Sequence, residues 1–234
     1  MKTISTITFG LCALLLNGCI EKPQQSNVHQ PFQPIELDAV LSIVVDLSGS
    51  FHDDWRRDGR AYKLFLELVN QFFEDHMGTE SKVIIGQISN SESFVLFDGT
   101  PQELTRRFRS PEQLNQFLQE NADPKGSKVY RSTKRMLDYL AELNGVTEKT
   151  RLLTVVLSDM KDSETEPETW RKAGNEMFNS LKTYSDSGGG VALYFVAEDE
   201  KTRWRQLLQK AKFPQGSFVI QGQLTETPQL PNFE

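Results

Sequence analysis

This sequence has little of what most often builds covalent chemistry. Its 234 residues hold 2 cysteines and 3 histidines. No cysteine has a histidine partner in a nucleophile arrangement, and no Gly-x-Ser-x-Gly elbow is present. A glycine-rich phosphate loop with its lysine is missing, as is the Asp-rich spacing of a calcium loop. Basic residues do not dominate either: 26 Lys and Arg stand against 32 Asp and Glu, a formal charge of -6. With no basic stripe, nucleic acid is not an expected partner. The short clusters Arg56-Arg57 and Arg106, Arg107, Arg109 are of the kind a solvated face carries. No apolar run is long enough to span a bilayer as a helix, and no internal repeat is found.

What is present starts at the N-terminus. Lys2 is followed by apolar and small residues from Ile4 to Leu16, the layout of a secretory signal. The segment ends in Leu16-Asn17-Gly18-Cys19, which resembles the lipobox of bacterial lipoproteins. That resemblance implies cleavage after residue 18 and a lipid anchor on Cys19. Ile20 stands where an inner-membrane retention signal usually has Asp, which favours the outer membrane in a Gram-negative cell. An ordinary signal peptide is the alternative reading. Cys12 lies in the removed segment, so Cys19 would be the one mature thiol and no internal disulfide could form. Removing 18 of 234 residues, with their single Lys and no acid, leaves 216 residues and a charge of -7. The expected protein is extracytoplasmic and anchored rather than spanning.

Residues 19–36 read as the lipidated cysteine and a linker, with three Pro and four Gln between 20 and 36. In polyproline geometry at about 3 Å per residue it reaches up to ~50 Å. Residues 223–234 have similar composition and read as a loose tail. One domain is expected between them, over 37–222.

In that domain short β-branched runs alternate with amphipathic stretches. The runs are AVLSIVVD (39–46), KVIIGQIS (82–89), LLTVVLSD (152–159) and GVALYFVAED (190–199). The first, third and fourth are almost continuously apolar, as parallel strands covered on both faces are. SFVLF (93–97) reads as an antiparallel hairpin partner at an edge, and SFVI (217–220) as a last strand. Helical stripes lie between them. A first helix is predicted over Trp55–Asp75, with Tyr62, Phe65, Leu66, Val69, Phe72 and Phe73 on one face. Further stripes fall at Leu114–Leu118, Tyr130–Leu140, Trp170–Leu181 and Trp204–Leu208. The order predicts a doubly wound α/β sheet of about six mostly parallel strands, one antiparallel edge strand, and helices on both faces.

The first strand stops at an acid and is followed by two hydroxyls, Asp46-x-Ser48-x-Ser50. In such sheets the functional crevice lies outside the carboxyl ends of the strands, where strand order reverses. Asp159 ends another strand and is expected at the same rim. Acid and hydroxyl oxygens converging from separate loops suit a hard cation such as Mg²⁺. Asp53 and Asp54 fit the first turn of the following helix, where negative charge suits the dipole. His29 and His76 have no plausible ligand set around them.

DLSGS (46–50) resembles the Asp-x-Ser-x-Ser signature of von Willebrand factor type A (VWA) domains, the metal-ion-dependent adhesion site. LTVVLSDMKDS (153–163) is similar to that family's late strand, which ends in a metal-site Asp, here Asp159. PKGSKVYRSTKRML (124–137) resembles the loop that carries a Thr, with Ser127 in its place. The resemblance implies that Ser48, Ser50 and Ser127 ligate Mg²⁺ or Mn²⁺ through their hydroxyls. Asp46 and Asp159 would hold coordinated waters and neutralise charge. It further implies an open metal position that a partner protein's carboxylate fills. Two departures stand out: Lys128, where many relatives have an acid, and Met160, where Gly often follows the late Asp. The first is expected to weaken metal binding and the second to narrow the approach.

Three function classes follow: a metal-dependent protein-binding module, an envelope scaffold with a degenerate site, and a phosphohydrolase using Asp46. The last needs a second acid two residues on, and that position holds Ser48. The leading expectation is the binding module, without catalysis.

Overall fold

A computed structural model describes residues 35–48, 51–89, 91, 93–123 and 126–222. The expected signal, Cys19, most of the linker, the tail 223–234 and Ser50 lie outside the described residues.

The strands are β1 (Ala39–Val45), β2 (Ser81–Gln87), β3 (Val95–Gly99), β4 (Arg151–Leu157), β5 (Gly190–Tyr194) and β6 (Phe218–Gln221). The helices are α1 (Arg60–Asp75), α2 (Pro101–Arg107), α3 (Pro111–Glu120), α4 (Val129–Ala141), α5 (Pro167–Asp186) and α6 (Glu198–Lys210). They build one six-stranded sheet in the order β3-β2-β1-β4-β5-β6. Only the β2–β3 pair is antiparallel, and β3 is an edge, as its sequence suggested.

β1 is central, and all seven of its residues are buried. Its alternation divides the core. Ala39, Leu41, Ile43 and Val45 pack with Trp55, Tyr62 and Phe65. Val40 and Val44 pack with Tyr130, Met136, Met177 and Trp204 on the other face. Ser42 would be costly there without partners. It donates to Thr154 Oγ1 at 2.9 Å, and Thr154 donates on to Tyr184 Oη at 2.9 Å.

Local chemistry sets several helix starts. α2 opens with a capping box between Thr100 and Glu103 and with Pro101 at its first position. α3 and α5 likewise pair an N-cap side-chain acceptor with a following proline, Ser110-Pro111 and Glu166-Pro167, without the reciprocal bond of the box.

Several boundaries differ from the sequence expectation: β3 lies two residues later than 93–97, α2 was not expected, and two further differences bear on candidate residues. Residues His52–Trp55 form a short 3-10 helix, and α1 begins only at Arg60. Asp53 and Asp54 therefore do not occupy the first turn of α1, which contains no acid. Asp54 instead lies 3.4 Å from Arg60 Nε. The run 190–199 is also shorter as a strand. β5 ends at Tyr194, Phe195 turns at φ 67°, and α6 starts at Glu198 with three acids in its first turn.

Candidate metal centre

β1 and β4 pair in parallel with Val45 opposite Leu157, so the next residues, Asp46 and Ser158, leave the sheet side by side. The Asp46 N–H extends the ladder to the Leu157 carbonyl at 3.0 Å. From β1 the chain crosses to β2 on one side and later returns to β4 on the other. Asp46 and Ser158 thus flank the point where strand order reverses, the usual crevice in such sheets.

Asp46 is fully buried. Its Oδ1 accepts the Ser48 N–H at 3.1 Å and the Ser48 hydroxyl at 2.6 Å. The Ser127 hydroxyl reaches Oδ1 at 3.1 Å and Oδ2 at 3.3 Å. Ser158 Oγ donates to Oδ2 at 2.7 Å. Among the described residues this buried carboxylate makes no ion pair with Lys, Arg or His. Four donors offset part of the cost of burying the charge, and a cation would offset more.

Ser48 Oγ and Ser127 Oγ lie 2.6 Å apart. Oxygens that close are either hydrogen-bonded to each other or held by a common cation. Each hydroxyl has one proton and two lone pairs. With both protons on Asp46, lone pairs of both oxygens are free to ligate. Two adjacent ligands about 2.1 Å from an octahedral Mg²⁺ sit about 3 Å apart, so the pair needs to open by only a few tenths of an ångström. The residues present fit the ion.

Asp159 is half-buried and accepts the Lys161 N–H at 3.0 Å. Burial pushes its carboxyl up from the ordinary carboxylate value, and the charge of nearby Asp46 adds to the rise. Among the described residues, no three His, Cys, Asp or Glu side chains converge as a metal cluster. The oxygens of this cup come mainly from hydroxyls, which leaves a bound cation little neutralised.

The structure brings together Asp46, Ser48 and Ser127, with Asp159 close enough to sense the charge of Asp46. Ser158, missed in the sequence, completes the cluster. Its only signal was its place before Asp159, and its role depends on the β1–β4 register. Lys128, next to Ser127, pairs with Glu164 Oε2 at 3.1 Å. Met160 is buried at φ 63°, a left-handed backbone that glycine adopts without strain, and its N–H donates to Ser158 Oγ at 2.9 Å.

No family model matches the sequence, and no curated protein matches it either. Solved structures do resemble the fold. The VWA domain of SpRpn10 is 14% identical with a TM-score of 0.53, over 83% of this chain and 91% of that one. The N-terminal domain of TFIIH p34 is 11% identical with a TM-score of 0.51, over 79% of this chain and 90% of that one. At such identities the likeness establishes the architecture alone. The chain has a VWA-like α/β fold.

Proposed function

We propose that this protein is a non-catalytic binding module that recognises a protein partner through a divalent cation, Mg²⁺ or Mn²⁺, held by Ser48, Ser50 and Ser127 with Asp46 and Asp159 beside it. The observation that carries this reading is the Ser48–Ser127 hydroxyl pair, 2.6 Å apart on a fully buried carboxylate. A bound ion would supply an electrophilic position for an acidic side chain of the partner. Ser48 and Ser127 bind; Asp46 fixes their protons and balances charge; Ser158 orients Asp46.

The lipid anchor at Cys19 belongs to the same proposal and rests on Leu16-Asn17-Gly18-Cys19. Among the described residues no helix is long and apolar enough to cross a membrane. The described chain begins at the pole opposite the cup: Leu37 N–H bonds to the Gly145 carbonyl and Asp38 N–H to Glu80. The seven residues of β1 separate the two poles by roughly 23 Å at about 3.3 Å per residue.

The test is the melting temperature of the detergent-solubilised chain in EDTA and in millimolar Mg²⁺ or Mn²⁺, beside Asp46→Ala and Ser48→Ala. Ligand at a hundred times its dissociation constant stabilises by about 2.7 kcal/mol, roughly 5 to 10 °C at this size. A shift in the parent that both variants lose supports the reading. No shift at any concentration favours a scaffold with a degenerate site.

A further inference from the structure

Ser127 sits in a short segment between Gly126 and the start of α4, its hydroxyl against Asp46 and Ser48 and its backbone outside regular structure. The N-cap residue of α4, Lys128, has no side-chain capping bond. The missing acceptor comes from elsewhere: Tyr130 N–H donates to Asp162 Oδ2 at 2.9 Å. The other oxygen of Asp162 accepts the Glu164 N–H at 2.8 Å, which fixes its own segment. Ser163 N–H donates to the carbonyl of Ser127 itself at 2.8 Å. Lys128 Nζ then closes on Glu164 Oε2 at 3.1 Å, with side chains only 20% and 17% exposed. The two segments also meet at Gly126, φ 112°, where a Cβ would lie 2.8 Å from Ser163 Oγ.

Residues 162–164 thus form a clasp around the turn that carries one ligating hydroxyl, and they continue directly from Ser158 and Asp159. We propose that Asp162, Glu164 and Lys128 are positioning residues that set the metal affinity of the cup without touching the ion. The proposal rests on the metal reading above. The clasp holds Ser127 Oγ against Ser48 Oγ before the cation arrives, so binding does not have to order that turn. Groups that orient metal ligands from behind typically contribute 10- to 100-fold in affinity.

Lys128 makes the decisive test. A cation beside the cup that acted only through its field would oppose metal binding, and its removal would tighten the site. The clasp gives the opposite sign. Mn²⁺ affinity of the full chain in detergent is measured by the loss of the free-ion spin-resonance signal for the parent, Lys128→Met, Glu164→Gln, Asp162→Ala and Asp46→Ala. Melting temperature in EDTA accompanies each. The expected result is about 10- to 100-fold weaker binding in all three clasp variants, with Glu164→Gln still folded in EDTA. Faster amide exchange at Tyr130 and Ser163 in metal-free Asp162→Ala should accompany it. Equal or tighter binding by Lys128→Met, or parent-like affinity in Glu164→Gln, overturns the clasp while leaving the site intact. A parent that binds no Mn²⁺, or an Asp46→Ala that binds as well as the parent, removes the metal reading and the clasp with it.

Discussion

Ser158 Oγ donates to Asp46 Oδ2 at 2.7 Å, joining the ends of two central strands through a fully buried carboxylate. The same oxygen accepts the Met160 N–H at 2.9 Å. A hydrogen bond to a charged group contributes about 1.5–3 kcal/mol, and leaving buried partners unsatisfied costs at least as much. Ser158→Ala should therefore lower stability by about 2–3 kcal/mol in metal-free protein, measured by urea denaturation. A loss below about 0.5 kcal/mol would mean the remaining donors suffice for Asp46.

Two glycines separate backbone strain from damage to the cup. Gly126 has φ 112°, and a Cβ there would stand 2.8 Å from Ser163 Oγ. Gly188 has φ 77° with open space around the same atom. Both alanine variants should lose about 1–3 kcal/mol from left-handed strain. Only Gly126→Ala should also lose the Mg²⁺-induced rise in melting temperature, because the displaced turn carries Ser127. A parent-like metal response in Gly126→Ala would separate that turn from metal binding.

The parts of this molecule legible in the sequence are those set by periodicity. β1 and β4 announce themselves because strands buried on both faces need unbroken apolar runs. The edge position of β3 followed from its short polar turn. Asp46 and Ser48 could be read from the end of an apolar strand, and Ser127 only from the resemblance of its loop to the family's; the structure brings these three together. Ser158 could not, since its contact depends on a register that pairs Val45 with Leu157 across more than a hundred residues of chain. Nor could the partner of Lys128, which lies in a segment without regular structure. Asp53 and Asp54 were misplaced because the apolar spacing starts at Trp55, whereas Trp55 is buried by a 3-10 turn ahead of α1.

Met160 sets two effects against each other. Its φ of 63° is a conformation that costs a non-glycine residue about 1–2 kcal/mol. Its side chain is 1% exposed, within the core beneath α4 and α5. Truncating such a side chain costs about 2–5 kcal/mol, so burial should win. Met160→Gly is expected to destabilise, by up to roughly 4 kcal/mol in chemical denaturation, the difference of those two terms. A gain in stability would show that backbone strain, not packing, dominates beside Asp159.

Glu200 gives the pH dependence. It is 8% exposed and bound by Arg203 Nη1 at 3.0 Å through both oxygens. Burial pushes its carboxyl above the ordinary value of 4.5; Arg203 opposes the rise, while Asp199 and Asp159 add to it. A raised value means the folded state holds the proton more tightly than the unfolded chain does. The stability this group lends is therefore full below the unfolded value and is lost as pH climbs through the folded one. Glutamine does not titrate. The melting temperature of Glu200→Gln relative to the parent should accordingly rise as the pH climbs above the ordinary carboxylate value and level off once the folded-state carboxyl has ionised. A difference that stays flat or falls over that range would mean that Arg203 outweighs burial, and that the ionised pair strengthens the start of α6.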